Sequence, residues 1–129
     1  MLNTFIITGE QGSGKTTLIS EVVLNLQKRG FIIGGILAEG SWENNIRNSF
    51  ELVDLLTGER IIYCQRNEVE DWEKIRNFFI NPRGQLFGEN SLAMDHIKNA
   101  DLIVIDEIGP FELQGKLYVC FSLLVRTMF

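Results

Sequence analysis

The segment "TFIITGEQGSGKTTLISEVVLNLQKRG" constrains this chain more than any other. Residues 4–8 are a short apolar, β-rich run and read as a buried strand. From Lys15 to Arg29 the pattern changes. Leu18, Ile19, Val22, Val23 and Leu26 recur at helical spacing and form one apolar stripe. Lys28 and Arg29 suit the last turn, where the helix dipole favours cations, and Gly30 suits the position just beyond it. The glycine-rich stretch therefore sits between a strand and a helix.

That stretch fits the spacing G-x-x-x-x-G-K-[ST] through Gly9, Gly14, Lys15 and Thr16. Glycines at 9, 12 and 14 permit backbone paths that a side chain would obstruct, so that N–H groups can converge on phosphate oxygens. Lys15 supplies positive charge for the β- and γ-phosphates, and Thr16 supplies a hydroxyl for Mg²⁺. The following helix points its dipole at the same spot. The expected phosphate contacts are the run Gly9, Glu10, Gln11, Gly12, Ser13, Gly14, Lys15, Thr16 and Thr17.

A Mg-bound phosphate chain needs a carboxylate near Thr16. In "ADLIVIDEIG", Leu102–Ile105 is a continuous apolar run ending in Asp106 and Glu107. Ligands of open α/β sheets bind at the carboxyl ends of strands, so Asp106 is expected on the metal side of the loop. A Glu directly after that Asp can polarise water for in-line attack on the γ-phosphate, and Glu107 is the expected base. Two other readings stay open. One is a nucleotide-binding module without useful turnover. The other is a small-molecule or nucleotide kinase, which needs an acceptor pocket and an Arg-bearing lid that the sequence does not clearly show.

The chain of 129 residues suits one domain, residues 1–129, and 45% hydrophobic residues suffice for a core without staples. A net charge of -5 and a pI near 4.9 argue against broad nucleic-acid or acidic-membrane binding. Cys64 and Cys120 are far apart and form no metal-ligand pattern, which suits free thiols in a cytoplasmic protein. No signal peptide or membrane-length apolar stretch is evident. Oligomeric state is not legible.

Residues 31–37 read as a second strand, whose two glycines suggest close backbone packing or a bulge. "SWENNIRNS" reads as a polar loop. Residues 50–65 read as a β-hairpin around "LTGE". "EVEDWEKIRNFF" reads as a short helix running into a strand at Phe78–Ile80, with Pro82 as a breaker. Residues 85–99 read as one helix, and apolar residues from Leu117 to Met128 outline another helix face. The alternation predicts an α/β fold with a mainly parallel sheet in three layers and an added hairpin.

"GEQGSGKTTL" together with "ADLIVIDEIGPFEL" resembles the thermophile-type, cancer-related nucleoside-triphosphatase family, and "RNSFELVDLLTGER" is similar to that family's middle hairpin. The resemblance implies a P-loop enzyme that hydrolyses ATP, GTP and other nucleoside triphosphates with Mg²⁺. It implies phosphate-loop roles for Gly9 to Thr17, a metal-side role for Asp106 and a base role for Glu107. Arg47 falls where the family has an Arg before the hairpin. Phe111 stands where the family usually has Met. Family members normally continue past residue 129, so the family's last strand is expected to be missing from this sequence. His96, Trp42, Trp72 and Arg83 are read as structural or solvated residues.

Overall fold

The computed structural model describes residues 14–75 and 77–106. The strand expected at 4–8, the residues before Gly14, Glu107 and the helix face expected from Leu117 to Met128 lie outside the described residues.

The apolar stripe after the glycine loop forms helix α1, Lys15–Lys28. Strand β1 follows at Ile33–Glu43, then β2 at Ile46–Asp54, β3 at Arg60–Gln65, β4 at Glu73–Ile75 and β5 at Phe78–Ile80. Helices α2 (Pro82–Ser91) and α3 (Met94–Ile97) lead to β6 at Leu102–Ile105. The six strands form one mixed sheet in the order β4-β5-β3-β2-β1-β6. β1 and β6 run parallel, from Ile33 beside Leu102 to Ile36 beside Ile105. The other described pairings are antiparallel, so the antiparallel part is larger than a single added hairpin.

The difference begins at "SWENNIRNS". This stretch is not a loop: β1 runs through Glu43 and returns as β2 from Ile46. Asn44 and Asn45 turn the chain, with φ of 51° and 63°. Two successive left-handed residues match the twist of a tight hairpin, and Asn tolerates that conformation better than most residues. The β2–β3 hairpin stands where the sequence places it. Asp54 caps its turn, with Oδ1 accepting from the N–H groups of Leu56 (2.9 Å) and Thr57 (3.2 Å). Its other oxygen lies 2.8 Å from His96 Nε2, which ties α3 to the same turn.

Two helix expectations also change. Among the described residues of 68–77 no helix forms. Asp71 takes φ 69°, and Glu73–Ile75 pairs with Phe78–Ile80 instead. Packing explains this: Phe78 is buried, and its ring meets that of Phe50 at 5.9 Å. The helix expected over 85–99 is two pieces, the first of which begins earlier, at Pro82. Asn81 Oδ1 accepts from the N–H of Arg83 at 3.0 Å, and Pro82 takes the first helical position, where its missing N–H costs nothing.

The main core lies on the α2/α3 side of the sheet. Ile36, Ala38, Phe50, Leu52, Cys64, Phe78 and Ile80 meet Leu92 and Ile97 there. Glycines let α2 approach closely. A Cβ on Gly84 would fall 2.9 Å from Tyr63 Cα, whereas one on Gly88 would meet only the end of Leu52, at 3.4 Å. Burial pushes the Cys64 thiol up to about 12.

These contacts give opposite signs for two alanines. Gly84→Ala should lose about 1–3 kcal/mol to overpacking, more than the ~1 kcal/mol that helix propensity returns. Gly88→Ala should be neutral or stabilising by up to ~1 kcal/mol. Urea unfolding checks both, and a Gly84→Ala protein as stable as Gly88→Ala contradicts the close approach. In a Cys120→Ser background, Cys64 should resist iodoacetamide at pH 8 until denaturant is added. Rapid native labelling contradicts its burial.

Candidate nucleotide and metal site

The site begins where α1 begins. Gly14 precedes the helix with φ 89°, a left-handed value that glycine adopts without steric penalty. Gly14 has no side chain with which to cap the helix, and no acidic residue lies in its first turn. Lys15, Thr16 and Thr17 occupy that turn. Its N–H groups carry the positive end of the helix dipole.

Asp106 arrives from the other end of the sequence. It follows the last residue of β6, and its N–H donates to the Ile36 carbonyl at 3.1 Å, extending the parallel ladder by one step. Its side chain is almost fully buried, at 7% exposure for the residue. A buried carboxylate needs partners. Oδ2 accepts from the Thr16 hydroxyl at 3.0 Å and from the N–H of Ala38 at 3.1 Å. One oxygen thus joins the start of α1, the end of β6 and the middle of β1. Residues 90 positions apart meet here, as the sequence motifs require.

The donor set is a hydroxyl beside a carboxylate, both hard oxygen ligands. No group of three or more His, Cys, Asp or Glu side chains suited to a metal exists among the described residues. The hydroxyl–carboxylate pair suits Mg²⁺, which takes one or two protein oxygens and completes its shell with phosphate and water.

Of the expected site residues, Gly14, Lys15, Thr16, Thr17 and Asp106 lie at this junction. Gly9, Glu10, Gln11, Gly12, Ser13 and Glu107 lie outside the described residues. Arg47 is on β2, opposite Trp42 on the hairpin. Trp42 is 61% exposed, and Arg83 is in the first turn of α2. A shallow cleft of about 180 Å³ at the hairpin tip, between Asn44, Asn48 and Arg66, contains none of the motif residues. Among the described residues no helix is long and apolar enough to cross a membrane.

The sequence reading missed a charged cluster on β1–β3. Arg60 Nη1 lies 2.7 Å from Glu39 Oε2 and 3.7 Å from Glu51 Oε2. The hydrogen bond to Glu39 raises the Arg60 pKa above its ordinary value. No motif spacing marks this cluster, because strand register alone brings its members together.

The family model described as NTPase matches residues 4–121. The chain belongs to this NTPase family. A protein of Methanothermobacter thermautotrophicus named nucleoside-triphosphatase THEP1 is 34% identical over 120 residues, covering 86% of this chain and 63% of that relative. One of Methanopyrus kandleri with the same name is 29% identical over 119 residues, covering 92% of this chain and 64% of its own length. The chain thus spans a little under two thirds of these relatives. A solution structure of a human cancer-related nucleoside triphosphatase shares the fold, with TM-score 0.50 at 15% identity over 86% of this chain and 80% of that one. The NTPase-family chain is thus a P-loop α/β protein by fold.

The network around Asp106 carries a stability prediction. Asp106→Ala leaves the Ala38 N–H without this acceptor and should cost about 1–3 kcal/mol in nucleotide-free protein, measured by urea unfolding. A change below ~0.5 kcal/mol contradicts the hydrogen bonds that hold it.

Proposed function

We propose that this chain hydrolyses nucleoside 5′-triphosphates, ATP and GTP among them, to diphosphate and phosphate in a Mg²⁺-dependent reaction, in the cytoplasm. The observation that carries the reading is the 3.0 Å contact between Thr16 and Asp106, which unites the two motifs.

Thr16 and Asp106 would hold the Mg²⁺, Thr16 through its hydroxyl and Asp106 through bound water. When bound, the ion neutralises charge on the β- and γ-phosphates. The loop from Gly9 to Thr17 donates backbone N–H groups to the phosphate oxygens, and Lys15 adds a positive charge. Glu107 accepts a proton from water as its oxygen bonds to the γ-phosphorus. The bond from that phosphorus to the bridging oxygen breaks, and the diphosphate leaves with the electron pair. The chain does no covalent chemistry of its own; it positions groups and stabilises charge.

The test is multiple-turnover phosphate release from Mg-ATP and Mg-GTP with no acceptor present. Release from both nucleotides should exceed that of Lys15→Ala, and Lys15→Ala should lose tight Mg-nucleotide binding. Glu107→Gln should bind normally and lose turnover by about 10²-fold or more. Binding without release in folded wild-type protein would reduce the function to nucleotide binding. Release that depends on an added acceptor would make it a kinase.

A further inference from the structure

We propose that Glu39 is a positioning residue of the metal site, holding a water of the cation's hydration shell through the carboxylate oxygen that Arg60 does not engage. The inference rests on the nucleotide-site reading given above.

The argument is one of register. Because the N–H of Asp106 donates to Ile36, Asp106 stands beside Leu37 in the parallel ladder. Neighbours in register share a face of the sheet, and side chains two apart on one strand do so as well. Asp106, Leu37 and Glu39 therefore project on the same side. Thr16 identifies that side as the one α1 covers. Adjacent strands lie about 4.8 Å apart and two residues advance about 6.6 Å, so the Cβ atoms of Asp106 and Glu39 are roughly 8 Å apart diagonally. That separation leaves room between the two carboxylates for an ion and water of its shell. It suits one carboxylate near the ion and a second one reaching it through water.

Glu39 is held for such a task. Glu39 and Glu51 stand directly opposite across β1 and β2, a pairing of like charges that is unfavourable alone. Arg60 lies on the same face, opposite Val53, and spans both carboxylates. Its 2.7 Å hydrogen bond takes Oε2 of Glu39. Oε1 has no partner among the described residues. The side chain is 35% exposed, within reach of water at the carboxyl edge of the sheet. The residue before it, Ala38, already binds Asp106 through its N–H. The N–H that binds Asp106 is thus one residue from Glu39 on β1.

The test measures the affinity of a fluorescent, non-hydrolysable ATP analogue in EDTA and in Mg²⁺. The ratio of the two is the Mg²⁺ enhancement. Glu39→Gln should lower the enhancement about tenfold, the usual consequence of losing an outer-shell partner, and leave affinity in EDTA unchanged. Glu51→Gln, which keeps the Arg60–Glu39 bond, should change neither value. Asp106→Asn should lower the enhancement more than Glu39→Gln does. Full enhancement in Glu39→Gln beside a loss in Asp106→Asn overturns the role of Glu39 alone. Equal losses in Glu39→Gln and Glu51→Gln overturn it too, since they reflect bulk charge. Full enhancement in Asp106→Asn overturns the metal site itself and this inference with it.

Discussion

A single buried carboxylate oxygen organises this molecule. Oδ2 of Asp106 accepts from the start of α1 and from the middle of β1 while its own main chain extends β6. Burying that oxygen is tolerable because its hydrogen-bonding capacity is used. The cost of leaving it unpaired fixes the relative height of three elements. Shift β6 by one residue on β1 and the side chain turns to the α2/α3 face, away from Thr16. The β1–β6 register is therefore both a packing fact and a chemical one.

The two faces of the sheet serve different ends. On the α2/α3 side, Ile36, Ala38, Phe50 and Leu52 continue the core toward the hairpin. On the α1 side the character changes within one pleat repeat. Leu37 and Val53 are buried, and the next pair along is Glu39 and Glu51. The chain thus presents charge at the edge where α1 begins. Arg60 keeps that charge from being purely repulsive.

The meeting of Thr16 and Asp106 was legible because each sits in a local pattern. A glycine loop before an amphipathic stretch, and an apolar run ending in Asp, each carry their meaning within a dozen residues. Family resemblance extended this reading, and the P-loop fold follows it. The misreadings share a different cause. Asn44 and Asn45 form a tight turn, yet the polar residues around them lack the alternation that marks a strand. Residues 68–79 have helical composition, but Ile75 and Phe78 gain more from the core beside Phe50. Pro82 was read as a breaker although it also opens a helix when Asn81 caps it. Glu39 gave no signal at all. Its neighbours Glu51 and Arg60 are distant in sequence, and only pairing of three strands assembles them.

The hairpins and the site also differ in what it takes to close them. The β1–β2 turn joins its strands across two residues, Asn44 and Asn45. The Asp106 contacts span 68 and 90 residues. Closure entropy rises with the length of chain enclosed, and distant contacts wait on local ones to reward them. The antiparallel pairings of β1 to β5 therefore close shorter stretches of chain than the β1–β6 pairing does. The Thr16–Asp106 junction forms only when α1 and the end of β6 are brought together. Any ligand that bridges this junction acts as a clasp, stabilising the chain where its own connectivity helps least.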